Sequence, residues 1–297
     1  MLSSAITARQ PYLQLHLAML LGNTQRMASI LSIHSAVTAG FVGNTIAGPV
    51  LTTHGHHPHL INSIMLAAHP GYGVHAGSLT APEDLRAMLA ALDTLDLMAG
   101  FKMIITGYIG NAHQIDPIAT ALKNWRTTCP GGSYVLDPVL GDAGRLYVDA
   151  AIAERMQTLL LPQADVITPN QFELSYLASL SVDDRASATI AANTILHQHD
   201  RLNAIIATGI ADGPNERGDL LIERGQDPIW CPARADAKNV SGGGDLLTML
   251  VTSYLASGET YRAAVPKACG ITQKILAASD TSRELNLLEN IALLSAD

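Results

Sequence analysis

The stretch Ser241-Gly242-Gly243-Gly244-Asp245-Leu246-Leu247-Thr248-Met249-Leu250-Val251 organises this chain. Leu246, Leu247, Leu250, Val251 and Tyr254 recur at helical spacing, so a helix is expected over 246–256. Glycine opens backbone conformations closed to other residues and lets a ligand approach the main chain. The first N–H groups of a helix lack internal partners and carry the positive end of its dipole. A glycine-rich loop feeding a helix is therefore an anion cradle, most often for phosphate. Asp245 has two readings. It can be the helix N-cap. It can also take a proton from a hydroxyl that attacks phosphorus, a task that justifies a carboxylate beside a phosphate.

Outward from this stretch, short apolar runs alternate with longer amphipathic ones. Strands are expected at 29–34, 60–65, 103–106, 134–136, 165–168 and 204–207, with two short strands over 218–231. Helices are expected up to about Thr53, then over 82–97, 116–126, 150–160, from Asn170, and over 186–198, 246–256, 261–278 and 285–294. The alternation predicts an α/β fold of three layers, a mainly parallel central sheet with helices on both faces. In such sheets the ligand sits past the carboxyl ends of the strands. Ser35, Tyr108, Asp137, Asp142, Thr168, Asn170, Glu173 and Thr208 fall at those ends.

The 297 residues fit one domain, and 48% hydrophobic with only 4% aromatic residues predicts a large aliphatic core. A net charge of −8 argues against nucleic acid as a partner. No apolar run reaches the length of a membrane span. Cys129, Cys231 and Cys269 are scattered, without metal or disulfide spacing, which suggests the cytoplasm. Residues 1–26 carry Arg9 and Arg26 but no acid, and read as an extension, mobile or forming a short added helix, ahead of a domain at 27–297. His54, His56, His57 and His59 crowd together. No Cys or second His motif accompanies them, and Gly55 and Pro58 mark a loop entering a strand, so no metal centre is expected there.

Five stretches occur in order: Ser35-x-Val37-x-x-Gly40-x-Val42-Gly43-Asn44, Thr106-Gly107-Tyr108, Asp137-Pro138-Val139-Leu140-Gly141-Asp142, Ile167-Thr168-Pro169-Asn170-Gln171-Phe172-Glu173, and the Gly-Gly-Gly-Asp run. Over residues 29–278 this set resembles pyridoxal kinase of the ribokinase superfamily. The resemblance implies a ribokinase-like domain, usually a homodimer, that uses ATP and Mg²⁺, with a monovalent cation such as K⁺ as a possible helper, to phosphorylate the 5′-hydroxymethyl group of pyridoxal. It implies Asp245 as catalytic base and the backbone of Gly242, Gly243 and Gly244 around the transferring phosphoryl group. Asp142 and Glu173 would organise Mg²⁺ with water, and Asp137 would join the same acidic end. Thr168, Asn170 and Thr208 would face the nucleotide phosphates, with Tyr147 in the loop over them. Ser35, Val42, Leu66, His69 and Tyr108 would line the pyridine pocket. Two positions depart from the family pattern. Gly243 stands where a Thr is usual, and Pro70 follows His69 where a hydroxyl residue is common. The rival readings are hydroxymethylpyrimidine kinase of the same superfamily, which typically carries Cys at the base position, and a degenerate pyridoxal-binding dimer without activity.

Overall fold

The computed structural model describes residues 27–73, 76–214, 216–279 and 284–295, so the expected extension at 1–26 lies outside the described residues. Eleven strands occur among them: β1 (Ser29–Ala39), β2 (His57–Ala68), β3 (Gly77–Leu79), β4 (Phe101–Thr106), β5 (Ser133–Leu136), β6 (Gly141–Asp142), β7 (Arg145–Leu146), β8 (Val166–Ile167), β9 (Ala204–Ala211), β10 (Arg217–Glu223) and β11 (Ile229–Pro232). The helices are α1 (Asn44–Thr53), α2 (Pro82–Thr94), α3 (Ile115–Thr128), α4 (Ala150–Arg155), α5 (Gln171–Ala178), α6 (Arg185–Gln198), α7 (Gly243–Ser257) and α8 (Tyr261–Ala278).

Nine strands form one sheet in the order β11-β10-β9-β8-β5-β4-β1-β2-β3, while β6 and β7 make a separate small hairpin. The six central strands from β9 to β2 run parallel, and β3, β10 and β11 are antiparallel edges. Successive strand residues alternate faces. Leu31, Ile104, Leu136 and Ile205 pack with α2 to α6, whereas Ile30, Met103, Ile105, Val135 and Ile206 pack with α1, α7 and α8. The expected three-layer α/β architecture is therefore present, and it gathers the carboxyl ends of the parallel strands at one rim.

Several boundaries differ from the sequence reading. β1 runs on to Ala39 because β2 accompanies it as far as the Ala39–Ala68 pair. Its pairing with β2 slips between His34 and Ala36, an irregularity that re-aims side chains beside the rim. The expected helix over 285–294 is replaced by turns and a short 3₁₀ helix at Ile291–Ser295. Leu285 and Leu287 are both buried, a two-residue spacing that one helical face cannot satisfy. Three of the four neighbouring histidines make separate contacts. His56 Nε2 meets the Ser253 carbonyl at 2.9 Å, His54 stacks edge-on against Tyr254, and His59 against Phe101.

Candidate active site

α7 begins one turn earlier than its apolar pattern. Gly242 is the N-cap residue, with φ 92° and no side-chain cap, and the first helical bond runs from Leu246 N–H to the Gly242 carbonyl at 2.9 Å. The N–H groups of Gly243, Gly244 and Asp245 therefore lack intrahelical acceptors and face outward at the positive end of the helix dipole. A Cβ on Gly242 would lie 2.3 Å from the Phe41 carbonyl oxygen, so both the φ angle and the space require glycine. Gly244 has open space where its Cβ would be.

The N-cap reading of Asp245 fails, because the residue sits in the first turn and its carboxylate turns back across the sheet. Oδ2 accepts the Gly43 N–H at 2.9 Å, and Oδ1 lies 3.0 Å from His34 Nε2, somewhat off the N–H axis. Burial opposes ionisation of Asp245, but the His34 pairing and the Gly43 donor outweigh it, and the carboxyl titrates below its ordinary value. A low-pKa carboxylate in a helix's first turn is ionised at neutral pH and ready to accept a proton.

Asp137 follows β5, buried, and accepts a hydrogen bond from Thr248 Oγ1 at 3.2 Å. Thr248 in turn lies 2.9 Å from Thr168 Oγ1, so a hydroxyl chain links the ends of β5 and β8 through α7. Burial, then the charges of Asp245 and Glu173, push Asp137 up to about 8. Glu173 is also buried and is pushed up to about 8 by burial, against the pull of the Asn170, Leu140 and Gly141 N–H groups. Its Oε1 meets Leu140 N at 2.9 Å and Gly141 N at 3.4 Å, and Oε2 meets Asn170 N at 2.9 Å.

Asn170 caps α5 by accepting the Glu173 N–H at 2.9 Å, and its amide donates to the Gly141 carbonyl at 2.8 Å. Both ends of that side chain are engaged within the protein. Thr208 lies beside it, bridged to Asn170, with its N–H on the Pro169 carbonyl at 2.9 Å. Asp142 is exposed in the small hairpin and accepts the Ala143 N–H at 2.7 Å. Tyr147 is exposed on the loop after that hairpin, within reach of the charges of Glu173, Asp137, Asp245 and Asp142.

On the other flank, Ser35 and Val42 are buried and Leu66 is half-buried between Val37 and Gly77. His69 approaches the glycine loop, with Nδ1 3.4 Å from Ser241 Oγ, and burial lowers its pKa against the opposing charge of Asp245. Tyr108 accepts the Ser63 hydroxyl on its carbonyl at 2.6 Å, and its half-buried phenol is pushed up by burial. The rim thus joins an anion cradle and a buried carboxylate to two flanks, one polar, one lined by His69, Tyr108 and apolar groups. Sequence reasoning missed His34. It lies in no motif, and the alternation of β1, which points it at α7, was its available signal.

Among the described residues, His34, Asp137 and Asp245 are the group whose ligand atoms lie close enough to share an ion, all within 4.8 Å of one another. No helix among the described residues is long and apolar enough to cross a membrane.

The model of the phosphomethylpyrimidine kinase family matches residues 50–287. Among similar proteins, a pyridoxal kinase of Arabidopsis thaliana is 33% identical over 76% of this chain and 73% of its own length. A pyridoxine/pyridoxal/pyridoxamine kinase of Bordetella avium is 29% identical over 87% of this chain and 88% of its own. Among solved structures, the pyridoxal kinase of Leishmania donovani in complex with ADP and pyridoxamine superposes with TM-score 0.82 at 30% identity, covering 90% of this chain and 95% of that one. The pyridoxal kinase of Entamoeba histolytica gives 0.84 at 26% identity, covering 91% and 96%. The fold, the order of the motifs and these likenesses agree: the chain belongs to the phosphomethylpyrimidine kinase family, among its pyridoxal kinases.

Proposed function

We propose that this protein transfers the γ-phosphoryl group of ATP to the 5′-hydroxymethyl group of pyridoxal, giving pyridoxal 5′-phosphate and ADP. One observation carries the reading: an ionised Asp245 stands in the first turn of α7 beside three helix-start N–H groups without intrahelical acceptors. The acceptor hydroxyl attacks phosphorus and forms the new O–P bond. Asp245 takes its proton, and the bond from phosphorus to the ADP oxygen breaks. The N–H groups of Gly243, Gly244 and Asp245 receive the equatorial oxygens, where charge is spread in the transition state. Tyr108 offers a ring face to the pyridine, and His69 a polar edge.

The acidic rim suits Mg²⁺. Asp137 is raised to about 8 by burial and then by the charges of Asp245 and Glu173, a penalty that a divalent cation would relieve. Asp137 and Asp142 would hold the ion, with Glu173 acting through water because its oxygens already accept three N–H groups. When bound, Mg²⁺ would supply positive charge against the nucleotide phosphates. Thr168, Thr208 and Tyr147 would meet the nucleotide, and a monovalent ion such as K⁺ would be a further helper. We further propose that residues 27–297 form the kinase domain, in a cytoplasmic homodimer. Leu60, Met65 and Leu79, exposed along β2 and β3, support the dimer, and three free cysteines support the compartment.

The rival acceptor is a hydroxymethylpyrimidine, which the name of the matching family favours. The test is a coupled assay of ADP release with pyridoxal, pyridoxine, pyridoxamine and the hydroxymethylpyrimidine. Turnover on the pyridoxal group is expected. Turnover on the pyrimidine alone overturns the proposed acceptor, and none on any of them favours a non-catalytic binding protein.

A further inference from the structure

His34 lies on the face of β1 that also carries Ile30 and Ser32, turned toward α1 and α7. An apolar side chain is the ordinary occupant of such a position. The imidazole is 1% exposed, so its polar atoms need partners. Nδ1 accepts the Ser35 N–H at 2.8 Å. In a neutral ring that leaves the proton on Nε2, the nitrogen 3.0 Å from Asp245 Oδ1.

Two glycines make the slot that holds this ring. A Cβ on Gly107 would lie 1.9 Å from His34 Nε2 and 2.0 Å from Cδ2, and one on Gly43 would lie 2.5 Å from Nδ1. Gly107 does not adopt a positive φ, so its backbone conformation alone does not call for glycine. The imidazole beside it does.

We propose that His34 is a positioning residue for the reaction. The His34 ring, with Nε2 3.0 Å from Oδ1 though off the N–H axis, and the Gly43 N–H, which donates to Oδ2, fix the Asp245 carboxylate in one orientation before substrate arrives. Each oxygen has two acceptor sites, so a lone pair remains for the acceptor hydroxyl. The advantage is geometric, since misplacing a reacting group by about 1 Å can cost about 100-fold in rate. This proposal rests on the reading of Asp245 as the base.

Two substitutions separate positioning from packing. His34→Phe fills the slot with a ring and removes the donor. His34→Gln keeps an N–H donor and loses the ring. Steady-state kinetics with pyridoxal and MgATP, and a melting curve, are measured for each. The expected result is a kcat about 10- to 100-fold down for His34→Phe, with both KM values within about threefold, and most of the rate retained by His34→Gln. In the Asp245→Asn background, His34→Phe should cost nothing further, because the residue acts through the carboxylate. If His34→Phe does not fold, His34→Leu takes its place. A folded donorless variant at full kcat, or a folded His34→Gln as damaged as that variant, overturns the proposal. Full kcat in Asp245→Asn overturns the base assignment instead.

Discussion

The Gly43 N–H donates to Asp245 Oδ2 at 2.9 Å, tying the start of α1 to the start of α7 across 202 positions of sequence. A carboxylate held this way is set as an acceptor and poised against the phosphate cradle. Asp245→Asn should fold with a near-native melting temperature and lose about 10²- to 10⁴-fold in kcat, the usual contribution of general-base catalysis. Pyridoxal binding should change far less. Turnover near the wild-type value would remove Asp245 from the role.

The three cradle glycines should respond differently to substitution. Gly242→Ala places a Cβ 2.3 Å from the Phe41 carbonyl at φ 92°, so it should distort the loop and cost both stability and turnover. Gly244→Ala meets nothing and should be mild in stability. Gly243 has no positive φ, and its Cβ would meet Leu276 Cδ2 at 3.2 Å. Gly243→Thr therefore requires a small shift of one leucine and adds a hydroxyl donor to the cradle. A modest rise in kcat is expected with pyridoxal affinity unchanged. A stable Gly243→Thr protein with equal or lower kcat would show that the hydroxyl is not missed. Equal melting temperatures for the Gly242 and Gly244 alanine variants would contradict the packing described for this loop.

Asp137 gives a pH signature in Mg²⁺-free buffer. Its carboxyl is pushed from 3.8 up to about 8 by burial and then by Asp245 and Glu173. The folded state thus holds this proton more tightly than the unfolded chain does. The stability it lends is complete below about pH 4 and drains away as pH rises through about 8. Melting temperature should fall across that window, and Asp137→Asn, which cannot ionise, should flatten the fall. Parallel curves for the two proteins would mean that Asp137 ionises freely in the fold.

Asn170 was expected to face nucleotide phosphates, and the structure shows it capping α5 and donating to the Gly141 carbonyl. Losing an N-cap costs about 0.5–2 kcal/mol. Asn170→Ala should therefore lower the melting temperature by several degrees, whatever happens to the KM for ATP. A variant with unchanged stability and a raised KM for ATP would assign the residue to the nucleotide instead.

The sheet was legible because its central strands are aliphatic and lie between stretches of helical periodicity. Ile167 to Glu173 was legible for a local reason, since an N-cap and its N3 partner are three residues apart. β3 and the β6–β7 hairpin were not, because Gly77-Ser78-Leu79, Gly141-Asp142 and Arg145-Leu146 lack the apolar run that marks a buried strand such as β8. His34 was hidden for another reason. Its meaning depends on Asp245, Gly43 and Gly107, and no window along the chain contains them all.

The helices on the two faces of the sheet become available at different stages of synthesis. By the time β11 ends at Pro232, every strand and α2 to α6 have emerged, so one face can close. The other face exposes Ile30, Met103, Ile105, Val135 and Val166, with α1 alone to cover them. At roughly 5–20 residues per second, α7 and α8 follow on the order of seconds later. During that interval the nascent chain presents an aliphatic face covered by α1 alone. The base and phosphate cradle arrive on the same late segment, so a chain released before α7 has neither catalytic group.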